Sequence, residues 1–440
     1  MCAHRHVAVE LTYGGQITDE RDARCLRVLI SEAYASDGLQ PGFPFAQDRS
    51  ATGSFIYSQP AMQAATYEDL MARVHELPLD STASAVGLDG NATLSRNVRE
   101  GRELLGALNR INGGQVYKTS GNDDEDGRRA SGRVDEDARL GSGVDGSIAG
   151  MPAVELGKAV QTLIRRLPAA FDLTLAQKLH PSIHIEPLDS VLHSELVRYN
   201  RLSSLVRESL ETLQNALIGD EPMPPSLHEL GTSVVRNETP RQWHELSYPS
   251  LEPLGSYYED LLRRLAFFQG WVEGGRPPSL WLPAFFAPRS VLTALLQRHA
   301  RKHALSLSTL RMGQTLLPDT PTATAPADGV HVHGLYLEGA RFDAPTQRLV
   351  ESEPNVLSTS LPTVWLCPAA PGGWPPSSAA AAAAAHRYPC PLYATAARRG
   401  EMTVSGHSTN FIMDLMLPSD APESYWIRRG VAALCQTVSI

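Results

Sequence analysis

Several residue groups in this chain are of types that could do chemistry. His331 and His333 stand two apart in Val330-His331-Val332-His333, so on a strand both imidazoles would share one face, as a metal pair would. No third ligand follows nearby, and the pattern reads as two solvent-facing strand histidines. Gly406-His407-Ser408-Thr409-Asn410 sets a base beside a hydroxyl, and Asp343 or Asp414 could complete a triad. Neighbouring strand side chains point opposite ways and no G-x-S-x-G elbow is present, so hydrolysis is not expected there. Gly141, Gly143 and Gly146 spell G-x-G-x-x-G, but no strand precedes them, and a glycine-rich linker produces that string by chance. A phosphate loop needs G-x-x-x-x-G-K-[ST]; the sole Gly-Lys pair, Gly157-Lys158, lacks the first glycine and is followed by Ala159. Arg398, Arg399, Arg428 and Arg429 form a basic set that either touches another part of a larger assembly or, on the plainer reading, is a solvated face. The expectation is therefore a polypeptide with no catalytic, cofactor-binding or metal-ligating residue of its own.

The elements that would position these groups are helical first and β later. A helix is expected from an Asp19 cap through about Ala35, others over Tyr67–Leu77 and Val98–Ile111, with loop between 41 and 60. Val154–Leu167 and Leu173–Leu179 follow. The longest helix is Leu188–Ile218. Its Leu188, Leu192, Leu196, Tyr199, Leu202, Val206, Leu210, Leu213 and Leu217 recur every three or four residues and lie on one stripe. Asp189 or Ser190 can cap its start, and Gly219 ends it. Each buried side chain of that stripe contributes about 1.5–3 kcal/mol, against about 0.3–0.5 kcal/mol for an exposed pair such as Arg207 with Glu211. Packing, not surface charge, should hold it. Pro249 and Pro253 lead into a helix whose face is Leu261, Leu262, Leu265, Phe268 and Trp271, ended by Gly274-Gly275. Trp281–Phe286 leads to another helix, Ser290–Lys302, and Pro318–Asp328 is loop.

From Gly329 the pattern is β. Val330–Leu337 alternates with a parity flip at Gly334, which suggests a β-bulge in one central strand, and Gly339 with Arg341-Phe342-Asp343 then makes a turn. Further strands are expected over Thr363–Cys367, Cys390–Tyr393, Phe411–Leu417 and Val431–Leu434. Two segments break the patterning. Residues 113–150 are acidic and glycine-rich, too poor in apolar side chains to offset their ordering entropy, and read as a disordered insertion. Residues 368–387 hold a run of seven alanines, Ala379–Ala385, and read as a second, low-complexity insertion.

With 440 residues there is room for two or three cores. A net charge of −9 argues against a sequence-independent nucleic-acid binder. The five cysteines are odd in number, widely spaced and include no C-x-x-C, which fits a reducing compartment without a zinc or disulfide framework. No apolar run is long enough to cross a bilayer and no secretory h-region follows Met1. No nucleic-acid or membrane partner is expected, and the glycosylation-type triplets at Asn91 and Asn237 carry no meaning in a cytosolic protein.

Against that background, several stretches resemble the C-terminal region of dynein heavy chains of the axonemal kind. Tyr13–Asp22 looks like the motif entering the lid of the sixth AAA+ module, and Leu77–Asp80 with Val86–Ala92 like the next lid segment. Ser247–Tyr257 and Val330–Asp343 resemble the C-terminal domain. Ala396–Gly400, Gly406–Phe411 and Leu417–Asp420 resemble consecutive hairpin elements of its barrel, and Trp426–Ala432 its last strand. The resemblance implies an α+β architecture. Residues 1–112 would begin the helical lid of the sixth module, 113–150 be an insertion and 151–182 the end of the lid. Residues 183–245 would be a spanning helix and connector, and 246–440 the C-terminal domain of helices plus a small β-barrel.

It also implies a non-catalytic part of an ATP-driven, minus-end-directed microtubule motor of the ciliary or flagellar axoneme, with ATP and Mg held elsewhere in the complete motor. Implied partners are the rest of the motor ring, intermediate and light chains through the complete heavy chain, and microtubules only through a stalk outside this sequence. Such a sequence is either a fragment of a longer gene or a separate polypeptide that docks on a truncated motor. The competing expectation is a free-standing scaffold or regulatory protein derived from a dynein C-terminus.

Overall fold

The computed structural model describes residues 19–33, 44–47, 56–58, 66–76, 90–111, 147–148, 151–181, 186–219, 223–317, 324–370, 385–398 and 409–437. Helix α1 (Glu20–Ala33), strands β1 (Pro44–Gln47) and β2 (Ile56–Ser58), and helices α2 (Tyr67–Glu76) and α3 (Gly90–Ile111) come first. A two-stranded ribbon, β3 (Ser147–Ile148) with β4 (Met151–Pro152), leads into α4 (Ala153–Arg166), α5 (Leu173–Leu179) and α6 (Pro187–Ile218). Next come α7 (Pro225–Val235), α8 (Arg241–Leu246), α9 (Leu254–Gly274), β5 (Ser279–Trp281), a 3-10 turn (Leu282–Ala284) and α10 (Pro288–His303). The β region holds β6 (Arg311–Leu316), β7 (Val330–His333), β8 (Tyr336–Glu338), β9 (Arg341–Asp343), β10 (Arg348–Val350), β11 (Ser358–Ser360) and β12 (Val364–Ala369). It ends with β13 (His386–Tyr393), β14 (Phe411–Ser419), α11 (Glu423–Arg428) and β15 (Ala432–Leu434).

The α+β expectation holds, and the longest helix is found where the stripe placed it. Leu188, Leu192, Leu196, Tyr199, Leu202, Val206, Leu210 and Leu213 are all buried in one core that continues through α9 and both larger sheets to Cys435. Gly219 closes α6 with a left-handed φ of 91°. Its start differs from expectation. Pro187 opens the helix, Glu186 is the cap residue without a side-chain bond, and Asp189 lies in the first turn instead. Arg207 also differs: its guanidinium donates to Leu167 O (2.8 Å) and Pro168 O (3.1 Å), satisfying carbonyls at the end of α4. The α1 cap is as read, with Asp19 Oδ1 accepting from Arg21 N at 2.7 Å, but α3 starts at Gly90, well before Val98.

The β region holds more strands than expected. The smaller sheet has the order β5-β7-β12-β6 and the larger β11-β8-β15-β13-β14-β10-β9. The expected single strand Val330–Leu337 is two. At Gly334 the backbone leaves the smaller sheet and enters the larger, so the parity flip marks a change of sheet and not a bulge. Gly334 has a φ of 85°, and a Cβ there would run into the Trp281 indole. Arg341–Asp343 is a strand paired antiparallel with β10, not a turn. Trp426–Arg428 is helical, and only Ala432–Leu434 forms the last strand. Strands β8 and β9 stand at the second and seventh places of the larger sheet, yet only two residues, Gly339 and Ala340, join them. Five strand spacings of about 4.8 Å would separate them in a flat sheet, far beyond the roughly 11 Å that three peptide steps can span. The sheet must therefore curl strongly, although among the described residues no strand pairing joins its edges β11 and β9 into the closed barrel that was expected.

Both insertions are narrower than expected where they are described. Ser147–Ile148 pairs with Met151–Pro152, and Ile148 is buried against Gly231 and Leu156. Pro368 and Ala369 belong to β12, and His386 and Arg387 to β13. The expected loop at 41–60 contains the antiparallel pair β1–β2. The Gly141–Gly146 string, His407, Ser408, Arg399, most of the polyalanine tract and the motifs Tyr13–Thr18 and Leu77–Asp89 lie outside the described residues.

Candidate functional site

A buried polar cluster sits where α6, α9 and the two sheets meet. Tyr199 of α6, Tyr257 and Phe268 of α9, and Tyr248 just before α9 are buried together. Tyr199 lies 5.2 Å from Phe268, and Tyr248 stacks on Tyr257 at 5.5 Å. Into this apolar setting α9 places Asp260 and Arg264, four residues apart and so one turn apart on one face. Arg264 is 1% exposed. Its Nε donates to Asp260 Oδ2 at 2.6 Å, its Nη1 to Pro283 O, and its guanidinium stacks 3.7 Å from the Tyr248 ring centre. In the amide orientation that satisfies both ends of Gln436, its carbonyl accepts from Arg264 Nη2 and its amide donates to Pro249 O at 3.0 Å.

Helix α6 grips the same turn. Tyr199 donates its hydroxyl proton to Ala284 O, and Glu195 Oε2 accepts from Phe286 N at 2.8 Å. Burial holds the Glu195 carboxyl above its ordinary value, against the opposing pull of the Phe286 N–H and Arg198. Burial likewise pushes Tyr257 and Cys435 up to about 12. At neutral pH the phenol and thiol are thus protonated and poor nucleophiles. Two helices therefore clamp the 282–286 turn. Strand β5, directly before that turn, pairs parallel with β7, with Leu280 opposite Val332. Gln436 follows β15 of the larger sheet. One guanidinium consequently ties both helices to both sheets. A groove of about 460 Å³ runs beside it, with Asp260, Arg263, Trp281, His333, Cys435 and Gln436 among its walls.

The residues singled out from sequence do not assemble into a catalytic centre among the described residues. His331 is buried, not solvent-facing, while His333 is exposed and bonded through Nδ1 to Ser279 Oγ at 2.9 Å. Asp343 caps its hairpin by accepting from Thr346 N and Oγ1 (3.1 and 2.6 Å), and Asp414 pairs with Arg21 at 2.5 Å. Gly157 and Lys158 lie inside α4. The basic set is not a simple solvated face. Arg398 pairs with Glu338 at 2.8 Å and donates to Gly430 O at 2.7 Å, and Arg429 pairs with Glu351 at 3.1 Å and covers Tyr425.

Three groups escaped the sequence reading. Glu195 gave no signal. Asp260-x-x-x-Arg264 was visible, but that spacing usually marks a surface pair. His299-x-x-x-His303 was visible too, but the expected helix Ser290–Lys302 stopped one residue short of His303, which the observed helix includes. Burial, then the neighbouring His303, lower the His299 pKa.

Helix α1 packs Cys25 and Val28 against the main core, and polar contacts add to the attachment of the N-terminal helices. Arg21 stacks 4.6 Å from the Phe411 ring centre, and Arg24 donates to Pro389 O at 3.1 Å. Asn91 of α3 donates to Glu353 O (2.8 Å) and Val356 O (3.1 Å) and accepts from Asn355 N (2.7 Å). Elsewhere α2 and α3 leave apolar side chains in solvent: Tyr67 is 77% exposed, and Leu104 and Leu105 are each 61% exposed.

These features define a structural α+β module braced by a buried ionic junction. The protein belongs to the dynein heavy chains: residues 117–435 match the family model for the C-terminal domain of dynein heavy chains, and residues 2–92 match the model for their AAA lid domain. Among similar proteins, human dynein axonemal heavy chain 3 is 34% identical over 97% of this sequence and 9% of its own length. Human dynein axonemal heavy chain 12 is 32% identical over 97% of this sequence and 12% of its own. Human dynein axonemal heavy chain 1 is 31% identical over 98% and 9%. The 440 residues thus span about a tenth of the length of the curated relatives they match.

Proposed function

We propose that this polypeptide serves as the C-terminal, non-catalytic part of an axonemal dynein heavy chain, bracing the ring of an ATP-driven, minus-end-directed microtubule motor in cilia or flagella. The observation that carries this reading is the unbroken core from the spanning helix α6 to β15, locked at Arg264, within a segment matched by the dynein C-terminal domain. A unit locked in this way transmits force between its ends instead of absorbing it. The exposed apolar side chains of α2 and α3 support docking of the lid helices onto further motor polypeptide. In the complete motor, ATP and Mg belong to other modules, and microtubule contact belongs to the stalk. Intermediate and light chains join through the rest of the heavy chain.

The test is a microtubule-gliding and stepping assay on a motor with and without the segment corresponding to 246–440. The expected outcome is altered velocity or step size on removal. Unchanged velocity and step size would overturn the reading, as would ATP turnover by the purified 440-residue protein alone.

A further inference from the structure

We propose that His299, His303 and Asp328 form a binding site for one divalent transition-metal ion of the zinc class. The two histidines are one turn apart on the last turns of α10, so both rings stand on one face, with centres 4.3 Å apart. Asp328 comes from the loop just ahead of β7 and sets its Oδ2 3.6 Å from His303 Nε2. One ligand atom from each of the three residues lies within 4.8 Å of the others. A small rotamer adjustment would bring three such atoms around an ion at about 2.0–2.2 Å. Two imidazoles and one carboxylate suit zinc, cobalt or nickel and not the oxygen-seeking calcium or magnesium. Three protein ligands leave the fourth tetrahedral position for water.

Two further observations favour a ligand here. Nδ1 of His299 is shielded from solvent and has no hydrogen-bond partner among the described residues. A ring nitrogen so placed is costly unless something occupies its lone pair or takes its proton. Moreover, Asp328 is already oriented. Its backbone carbonyl accepts from Trp365 Nε1 at 2.9 Å, and Lys302 Nζ holds its Oδ1 at 2.5 Å, leaving Oδ2 turned toward His303. Bound metal would clip the end of α10 to the entrance of β7, joining the helical layer to the smaller sheet at a point remote in sequence from Arg264.

A plain ion pair between Lys302 and Asp328 accounts for part of the same geometry, and the two readings part on what Lys302 does. For a metal, the ammonium is a competing cation beside the ligand carboxylate, so Lys302→Gln should tighten binding. If the cluster is only an ion pair, Lys302→Gln creates no zinc response. The experiment is zinc chloride titration of the chelator-treated 440-residue protein, read by calorimetry and by thermal unfolding. Expected are one high-affinity site and a saturable rise in Tm. His299→Ala and Asp328→Asn should each weaken it by about ten-fold or more, and Lys302→Gln should strengthen it several-fold. Cobalt in place of zinc should give the visible bands of a tetrahedral site, lost in His299→Ala. The proposal is overturned if zinc leaves Tm unchanged, or if His299→Ala and Asp328→Asn, shown folded by circular dichroism, bind zinc like the parent. Should either variant misfold, an unchanged or weakened affinity in Lys302→Gln, or a cobalt spectrum without tetrahedral bands, overturns it equally.

Discussion

The junction around Arg264 and the helices α2 and α3 treat side chains in opposite ways. At the junction a guanidinium is taken almost wholly out of water, and each face it presents is met by Asp260, Pro283 O, Gln436 or the Tyr248 ring. On α3 the reverse holds: Leu104, Leu105 and Leu108 stay in water although helical spacing gathers them on one side. Desolvating a charge is expensive and tolerated only when its partners converge from several elements. Leaving leucines exposed forgoes a stabilisation the fold could otherwise use. The difference teaches that the two regions answer to different constraints. The junction draws its partners from within this polypeptide, whereas α3 holds to residues 353–356 through Asn91 and keeps an apolar face turned outward.

Breaking the junction should have the largest effect. Arg264→Met removes the charge that Asp260 faces and should lower unfolding stability by about 3–5 kcal/mol, measured by urea denaturation of the 440-residue protein. A loss below about 1 kcal/mol would mean that water already reaches the cluster. A matched pair of leucines sharpens the contrast. Leu202→Ala, on the buried stripe of α6, should cost about 2–5 kcal/mol, while Leu104→Ala should stay within about 0.5 kcal/mol. Equal costs would show that α3 packs against something within these 440 residues. Smaller again is Asn91→Ala. It removes three hydrogen bonds between α3 and residues 353–356, a loss of about 1–2 kcal/mol in the attachment of α3. It should appear as faster proteolytic release of α3 with the urea midpoint of the core around Arg264 unchanged.

Legibility followed periodicity. The stripe of α6 repeats over many turns, so its existence, face and Gly219 stop were all readable, and α5 matched from end to end because Asp172 caps it, accepting from Thr174 N and Leu175 N. Strands β9, β10 and β11 are three residues each, too short for alternation to register, and are fixed by their partners in space. His331 was misjudged because alternation implies an open face only when one side of the sheet meets water. β7 lies between β5 and β12, and Val330, His331 and Val332 are all buried. The junction was the least legible part. Asp260 and Arg264 spell an ordinary i, i+4 pair, and only the arrival of Tyr248, Pro283 and Gln436 from distant positions makes it buried. Family motifs supplied the domain order that local patterning could not.

The smallest expected effect is a pH dependence that singles out the junction. Burial raises the Glu195 carboxyl above 4.5, so just above that value the folded protein still holds a proton that the unfolded one has released. The linkage slope follows the protons bound unfolded minus those bound folded, and here it is negative. Stability should therefore fall as pH rises from 4.5 through the native value, with the penalty absent below this window and complete above it. Asp189, also raised chiefly by burial, contributes with the same sign from 3.8 upward. The lowered carboxyls of Asp172, Asp328 and Asp343 act below 3.8 and fall outside the window. Glu195→Gln keeps an acceptor for Phe286 N but cannot titrate, so it should flatten the slope above 4.5 without removing the part owed to Asp189. Urea midpoints at closely spaced pH values, parent against variant, measure it. Parallel curves would show that Glu195 titrates alike in the folded and unfolded states.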